Sequence, residues 1–319
     1  MTCCERVRAA LTWRRPDRVP VGEFELSTLE PALARAGARP DSVGVVVGRP
    51  GWKDRLVRLA GPDRGGAFVW AVVDGPFQGL TAERGLEGAL LATLRSGRAE
   101  RVALFRDRAA RAAGQVREAL ELGADGVVVG EDVAYGGGLM LPWDVVAGEL
   151  APLWAELAEA AMGWGSKGLG SGTAGAEVRP LVALHCDSAA VRLMDLAAET
   201  GFDAFHPLEA GPAAAAGAGW PGWVERCRDR LDRYSGRLGL WGGLPLDLLT
   251  RGEAAEVEAL ARCLGDLGRE GGLVVGTTSG EVPAWVPVER LARAYAAVAS
   301  GAGEYGPCGR EGATVAHRR

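Results

Sequence analysis

Short apolar runs alternate with longer amphipathic stretches along most of the chain. Residues 19–24, 43–47, 67–73, 126–130, 181–184, 202–208, 238–241 and 273–275 form eight such runs, each bounded by glycine, proline or polar residues. The run Gly126-Val127-Val128-Val129-Gly130 is the clearest: it is too short for a helix, β-branched throughout and closed by glycine at both ends. Between the later runs the apolar period lengthens. Val146, Leu150, Leu153 and Leu157 fall at i, i+4, i+7 and i+11, one face of a helix. Val257, Leu260, Leu264 and Leu267 repeat the pattern, as do Val288, Leu291, Tyr295 and Val298. Glu253 and Glu256 open the 253–270 helix and Arg269 stands near its end, which matches the helix dipole.

Apolar strands alternating with amphipathic helices predict a parallel sheet covered by helices. Eight units in one chain favour closure into a single (β/α)₈ barrel, the TIM-barrel class, over residues 1–300. An open doubly wound sheet is compatible with the pattern alone. Two segments fall outside it. The glycine-rich stretch 163–177 lacks the GK[ST] of a phosphate loop and reads as a flexible insertion. The tail 301–319 has no periodicity and reads as disordered. No internal repeat is visible.

Composition narrows the function classes. The chain has 319 residues, 48 % of them apolar and 24 % charged, with a net charge of −5. That charge gives no electrostatic reason to expect nucleic acid or an anionic membrane as partner. No apolar run approaches the roughly 20 residues a spanning helix needs. The start Met1-Thr2-Cys3-Cys4-Glu5-Arg6 has no signal core, so the expected location is cytoplasmic. The cysteines, at 3, 4, 186, 227, 263 and 308, are scattered and read as free thiols.

In a parallel barrel the chemistry sits at the carboxyl ends of the strands. Polar residues just past the runs are Glu23 and Glu25, Asp74, Glu131-Asp132, His185-Cys186-Asp187, His206 and Glu209, and Thr277-Thr278-Ser279. An acidic mouth of this kind suits a metal ion, a cationic substrate or proton transfer through carboxyls of raised pKa. His185 and Asp187, two residues apart, turn to one side at a strand end, and Glu209 closes the next strand. One imidazole and two carboxylates can hold a divalent ion, so His185, Asp187 and Glu209 are the expected ligands. Of the adjacent acids, Asp132 is expected at the mouth, as a catalytic group. Glu23, Asp74, Tyr135 and Thr278 are expected to bind substrate. Cys186 alternates outward as a packing residue, and His206 alternates away from Glu209 as a structural one.

Glu5-Arg6-Val7-Arg8-Ala9-Ala10-Leu11 followed by Arg15-Pro16-Asp17-Arg18-Val19-Pro20-Val21 resembles the opening of uroporphyrinogen-decarboxylase-like proteins. Gly123-Ala124-Asp125-Gly126 leading to Gly130-Glu131-Asp132-Val133-Ala134 is similar to their central strand and acidic loop. The segments PLVALHCD (180–187), GFDAFHPLE (201–209), LWGGL (240–244) and GGLVVG (271–276) follow in order. The superfamily holds cofactor-free decarboxylases of uroporphyrinogen and zinc-dependent methyltransferases that work with corrinoid proteins.

The resemblance implies a barrel enzyme of one kind or the other. The decarboxylase branch carries an arginine-rich loop after the first strand, where this chain has Val21-Gly22-Glu23-Phe24-Glu25-Leu26. An acidic loop would repel an octa-acid substrate. The decarboxylase histidine after the last strand is replaced by Thr277-Thr278-Ser279. The methyltransferase branch has a His-x-Cys pair, a later cysteine and a glutamate. This chain keeps His185 and Glu209 but has Asp187 at the first cysteine and Thr277 to Ser279 around the second. Without thiolates the site would be harder, suited to an oxygen, ether or amine donor. The expectation is a metal-assisted methyltransferase that binds a divalent ion, zinc foremost, and a small methylated substrate, with a corrinoid protein as partner. A cofactor-free decarboxylase and a non-catalytic scaffold barrel stand as alternatives.

Overall fold

In the computed structural model the eight apolar runs become eight parallel strands: β1 (Gly22–Glu23), β2 (Ser42–Val46), β3 (Phe68–Asp74), β4 (Gly126–Gly130), β5 (Leu181–His185), β6 (Ala204–Leu208), β7 (Gly239–Leu244) and β8 (Leu273–Thr277). The structure describes residues 1–26, 29–61, 66–136, 138–164, 179–187, 191–209 and 219–301. Most of the 163–177 stretch, and the tail beyond residue 301, lie outside the described residues. The strands pair in chain order from β1 to β8, all parallel. A parallel bridge from Val21 to Val275 brings the last strand back to the first and closes the barrel. Helices over the outer face cover the sheet, so strands buried on both sides are apolar throughout.

Strand alternation divides the core in two. Trp70, Val72, Val128, Leu181, Ala183, Ala204, Trp241 and Val274 point into the barrel, joined by Phe24 and Phe68. Trp70 stacks on Trp241 with centroids 5.4 Å apart, so the interior is filled and is no pore. Residues of opposite parity, such as Val69, Val127, Val129, Val182 and Leu184, pack outward against the helices. Among them is Cys186, 1 % exposed and directed away from the mouth as its position in the strand predicts. The helix Cys3–Leu11 starts with a capping box between Thr2 and Glu5 and plugs the amino-terminal end of the barrel with Val7, Ala10 and Leu11.

The Arg15–Val21 motif ties this plug to the sheet. Asp41, just before β2, accepts hydrogen bonds from Arg6 Nη1 (2.6 Å), Arg18 Nη1 (2.7 Å) and the Val21 amide (3.0 Å). Arg6 also holds Asp17, whose carboxyl it keeps well below the ordinary range. On the outside, the predicted face Val146, Leu150, Leu153, Leu157 is buried. Its first turn, Val146–Leu150, is a π-turn that leads into Ala151–Met162, where Pro152 has no N–H to continue an α-helical ladder. Cys3, Cys4, Cys186 and Cys227 are free thiols as expected, whereas Cys263 is disulfide-bonded. Among the described residues no helix is long and apolar enough to cross a membrane.

Candidate functional site

The carboxyl ends of β3, β4, β5 and β6 meet at one level: Asp74 is in register with Gly130, Gly130 with His185, and His185 with His206. Leu181 and Ala183 face the interior, so His185 faces it too. Its ring lies against Phe24, centroids 4.4 Å apart, and against His206 at 5.0 Å. His206 is 0 % exposed and meets Trp241 edge-on at 4.8 Å. The Nδ1 atoms of the two histidines are 2.8 Å apart and hydrogen-bonded. Burial and the neighbouring His185 push the His206 pKa well down.

With Nδ1 engaged, His185 turns Nε2 up to the mouth. There it stands 3.6 Å from Asp132 Oδ1 and 3.5 Å from Asp187 Oδ1. The Asp187 amide donates to Asp132 Oδ1 at 3.1 Å, which locks the loop after β5 to the loop after β4. One ligand atom from each of Asp132, His185 and Asp187 lies within 4.8 Å of the others. Ligands about 2.1 Å from a tetrahedral ion sit about 3.4 Å from one another, close to these spacings. One nitrogen and two carboxylate oxygens make a donor set of the kind that divalent zinc, manganese or iron accepts.

Carboxylates crowd the mouth, and Arg49 offsets Asp74 only through its longer-range charge. Among the described residues, Asp74, Asp132, Asp187 and Glu209 have no ion pair with arginine or lysine. Burial raises the carboxyl of Asp74, with Asp132 adding to the shift. Burial also raises Asp187, which Asp132 reinforces and His185 opposes. Glu209 is raised by burial and then by Asp187. Beside this cluster a cavity of about 860 Å³ opens over β6 to β8, lined by Asp187, Glu209, Trp220, Trp223, Thr278 and Ser279 among others. Trp220 and Trp223 lie one helical turn apart on Gly219–Tyr234, and Trp223 Nε1 donates to the Gly243 carbonyl at 2.8 Å. The volume suits a small molecule.

Several expected residues therefore converge, and others do not. His185, Asp187 and Asp132 come together, and Thr278 lines the cavity. Glu209 falls outside the group of three that the expected ligand set placed it in, although its carboxyl feels Asp187. By alternation with Ala204, Glu209 would face outward; the register shift between Phe205 and Leu208 turns Leu208 outward and lets Glu209 line the cavity beside the group without joining it. Glu23 is not at the mouth. It is fully buried outside the barrel, where it accepts from Tyr295 OH (2.6 Å) and Thr277 Oγ1 (2.7 Å), and desolvation pushes it up to about 7. Tyr135 sits on the short hairpin after β4 and is 57 % exposed, while Gly136 beside it lines the cavity.

The choice between the two adjacent acids is resolved by the helix that follows β3. Glu131 is buried and accepts from the Phe77 and Gln78 amides at the start of the Pro76–Arg95 helix and from Trp154 Nε1, leaving Asp132 for the mouth. Sequence reasoning missed His206 as a site residue. Its strand parity with Ala204, which faces inward, is the signal that could have found it.

No family profile matches the chain, and no curated protein matches it by sequence. Its architecture is that of solved barrels. A methyltransferase from Methanosarcina mazei superposes with a TM-score of 0.65 at 15 % identity, over 93 % of this chain and 98 % of that one. A glycoside hydrolase family 5 enzyme from Prevotella bryantii B14 superposes with a TM-score of 0.55 at 10 % identity, over 92 % and 98 %. The class that fold and topology define is the parallel eight-stranded TIM barrel. At these identities the likeness is one of fold.

Proposed function

We propose that this chain is a barrel enzyme of the methyltransferase kind, holding a divalent ion, zinc foremost, between His185, Asp187 and Asp132. The observation that carries the reading is the placement of His185 Nε2 opposite two carboxylate oxygens at 3.5 and 3.6 Å, with no arginine or lysine among the described residues to pair them. The fold shared with a methyltransferase and the family resemblance of the 180–187 segment support it. When bound, the ion would act as a Lewis acid on the heteroatom that carries the methyl group.

The chain's own groups do the rest. The cavity beside Asp187 takes a small methylated substrate, with Trp220 and Trp223 as an apolar wall and Thr278 and Ser279 as hydrogen-bonding groups. As the methyl group departs without its bonding electrons, the heteroatom retains the pair and takes a proton. Glu209, which lines the cavity with its carboxyl raised by burial and by Asp187, is the group we assign to supply that proton. A corrinoid protein as methyl acceptor is drawn from the resemblance. The acidic rim argues against a polyanionic substrate.

The test is metal analysis of protein purified without chelator, beside a His185→Ala variant. About one ion per chain, lost in the variant, is the expected result and leads to methyl-transfer assays with ether and amine donors. A wild-type protein that also refuses added zinc, manganese and iron counts against the reading and returns the cofactor-free decarboxylase and the scaffold to the front.

A further inference from the structure

The two imidazoles beneath the mouth share one hydrogen bond, and it restricts where their hydrogens can be. With Nδ1 atoms 2.8 Å apart, one nitrogen carries the hydrogen and the other is bare. An ion on His185 takes the Nε2 lone pair, so the hydrogen of that ring stands on Nδ1 and is donated to His206. His206 Nδ1 must then be bare, with its own hydrogen on Nε2. His206 Nε2 has no hydrogen-bond partner among the described residues, so no donor there fixes the opposite tautomer. Phe24 and Trp241 enclose the pair, and Trp241 Nε1 is spent on the Gly22 carbonyl at 3.0 Å. Neither offers His185 Nδ1 another acceptor.

We propose that His206 is the positioning residue of the metal site. Its bare Nδ1 accepts the Nδ1–H of His185 and holds that ring in the tautomer and orientation that aim Nε2 at Asp132 and Asp187. The inference rests on the metal reading given above. A metal-bound histidine commonly donates its second N–H to a carboxylate or carbonyl. Here a neutral imidazole accepts it instead. That choice adds no third negative charge beneath a site already formed by two carboxylates, so one imidazole and two acids balance a divalent cation.

The chain has only three histidines, His185, His206 and the tail residue His317, so ring-nitrogen NMR on ¹⁵N-histidine-labelled full-length protein can assign each one. In the zinc-loaded wild type His206 should show hydrogen on Nε2 and a bare Nδ1, and His185 should show hydrogen on Nδ1. Zinc affinity should fall roughly 10- to 100-fold in His206→Leu, the usual range for loss of such a partner. His206→Asn, whose Oδ1 can occupy the place of Nδ1 as acceptor, should recover most of that loss. Hydrogen on His206 Nδ1 in the loaded protein, or unchanged zinc affinity in His206→Leu, would overturn the inference while leaving the metal site standing. A wild-type protein that takes up no zinc overturns the proposed function and this inference together.

Discussion

Replacing Glu23 by glutamine should change how the stability of the barrel depends on pH. Glu23 is sealed between the β1–β8 seam and the Val288–Ser300 helix, and burial raises its carboxyl from an ordinary 4.5 to about 7. The hydrogen bonds from Tyr295 and Thr277 favour the charged form but do not cancel that cost. Between the two pKa values the folded chain keeps a proton that the unfolded chain has released. The stability tied to that proton is whole below the unfolded value and is lost as pH rises through the folded one. One proton corresponds to a slope of up to about 1.4 kcal/mol per pH unit, so the window from 4.5 to about 7 removes about 3 kcal/mol.

Other groups titrate in the same window and in both directions. Glu131 is likewise pushed up to about 7, while His206 is pushed down and makes stability rise with pH. The quantity to follow is therefore the difference between Glu23→Gln and wild type, since glutamine does not titrate and the other groups cancel. The hydroxyls of Tyr295 and Thr277 can rotate to accept from the new amide. Urea unfolding at a series of pH values from 4.5 to 8 should show this difference moving in favour of the variant by about 3 kcal/mol. A difference that stays constant across the range would refute the reasoning.

Asp41→Ala removes the acceptor shared by buried Arg6, Arg18 and the Val21 amide, and should cost about 3 kcal/mol or more in denaturant unfolding. Retention of full stability would show that Asp17 alone satisfies Arg6. Gly276→Ala would place a Cβ 2.0 Å from the Gly22 carbonyl oxygen at the closing seam. A loss at or above the upper end of the 1–3 kcal/mol usual for overpacking should follow, read as a lower Tm. Asp132→Ala should weaken zinc binding more than Glu209→Ala does in titration calorimetry, because Asp132 and not Glu209 stands in the group around His185; the reverse order would restore the ligand set expected from sequence. Cys186, buried and with its thiol pushed up by desolvation, should react with a thiol reagent in the native protein far more slowly than half-buried Cys3.

What the sequence determined by itself is local and periodic. Backbone geometry gives strands a period of two and helices a period of 3.6, so eight strands, the three helical faces and the common side of His185 and Asp187 could be read from spacing. The outward turn of Cys186 follows from the same rule. Tertiary structure decided which side of each strand became the inside, because that depends on closure between residues far apart in the chain, Val21 and Val275. Closure put Glu23 behind the sheet under Tyr295, although its position past an apolar run made it look like a mouth residue. The helix after β3 claimed Glu131 through two amides and left Asp132 free, a choice no pattern between adjacent acids could make with certainty. A register shift in β6 turned Leu208 outward and Glu209 to the cavity, and the inward face of the same strand brought His206 against His185. Periodicity describes a strand relative to itself. Which of its side chains meet depends on the curvature and register of its neighbours, and those are properties of the closed barrel.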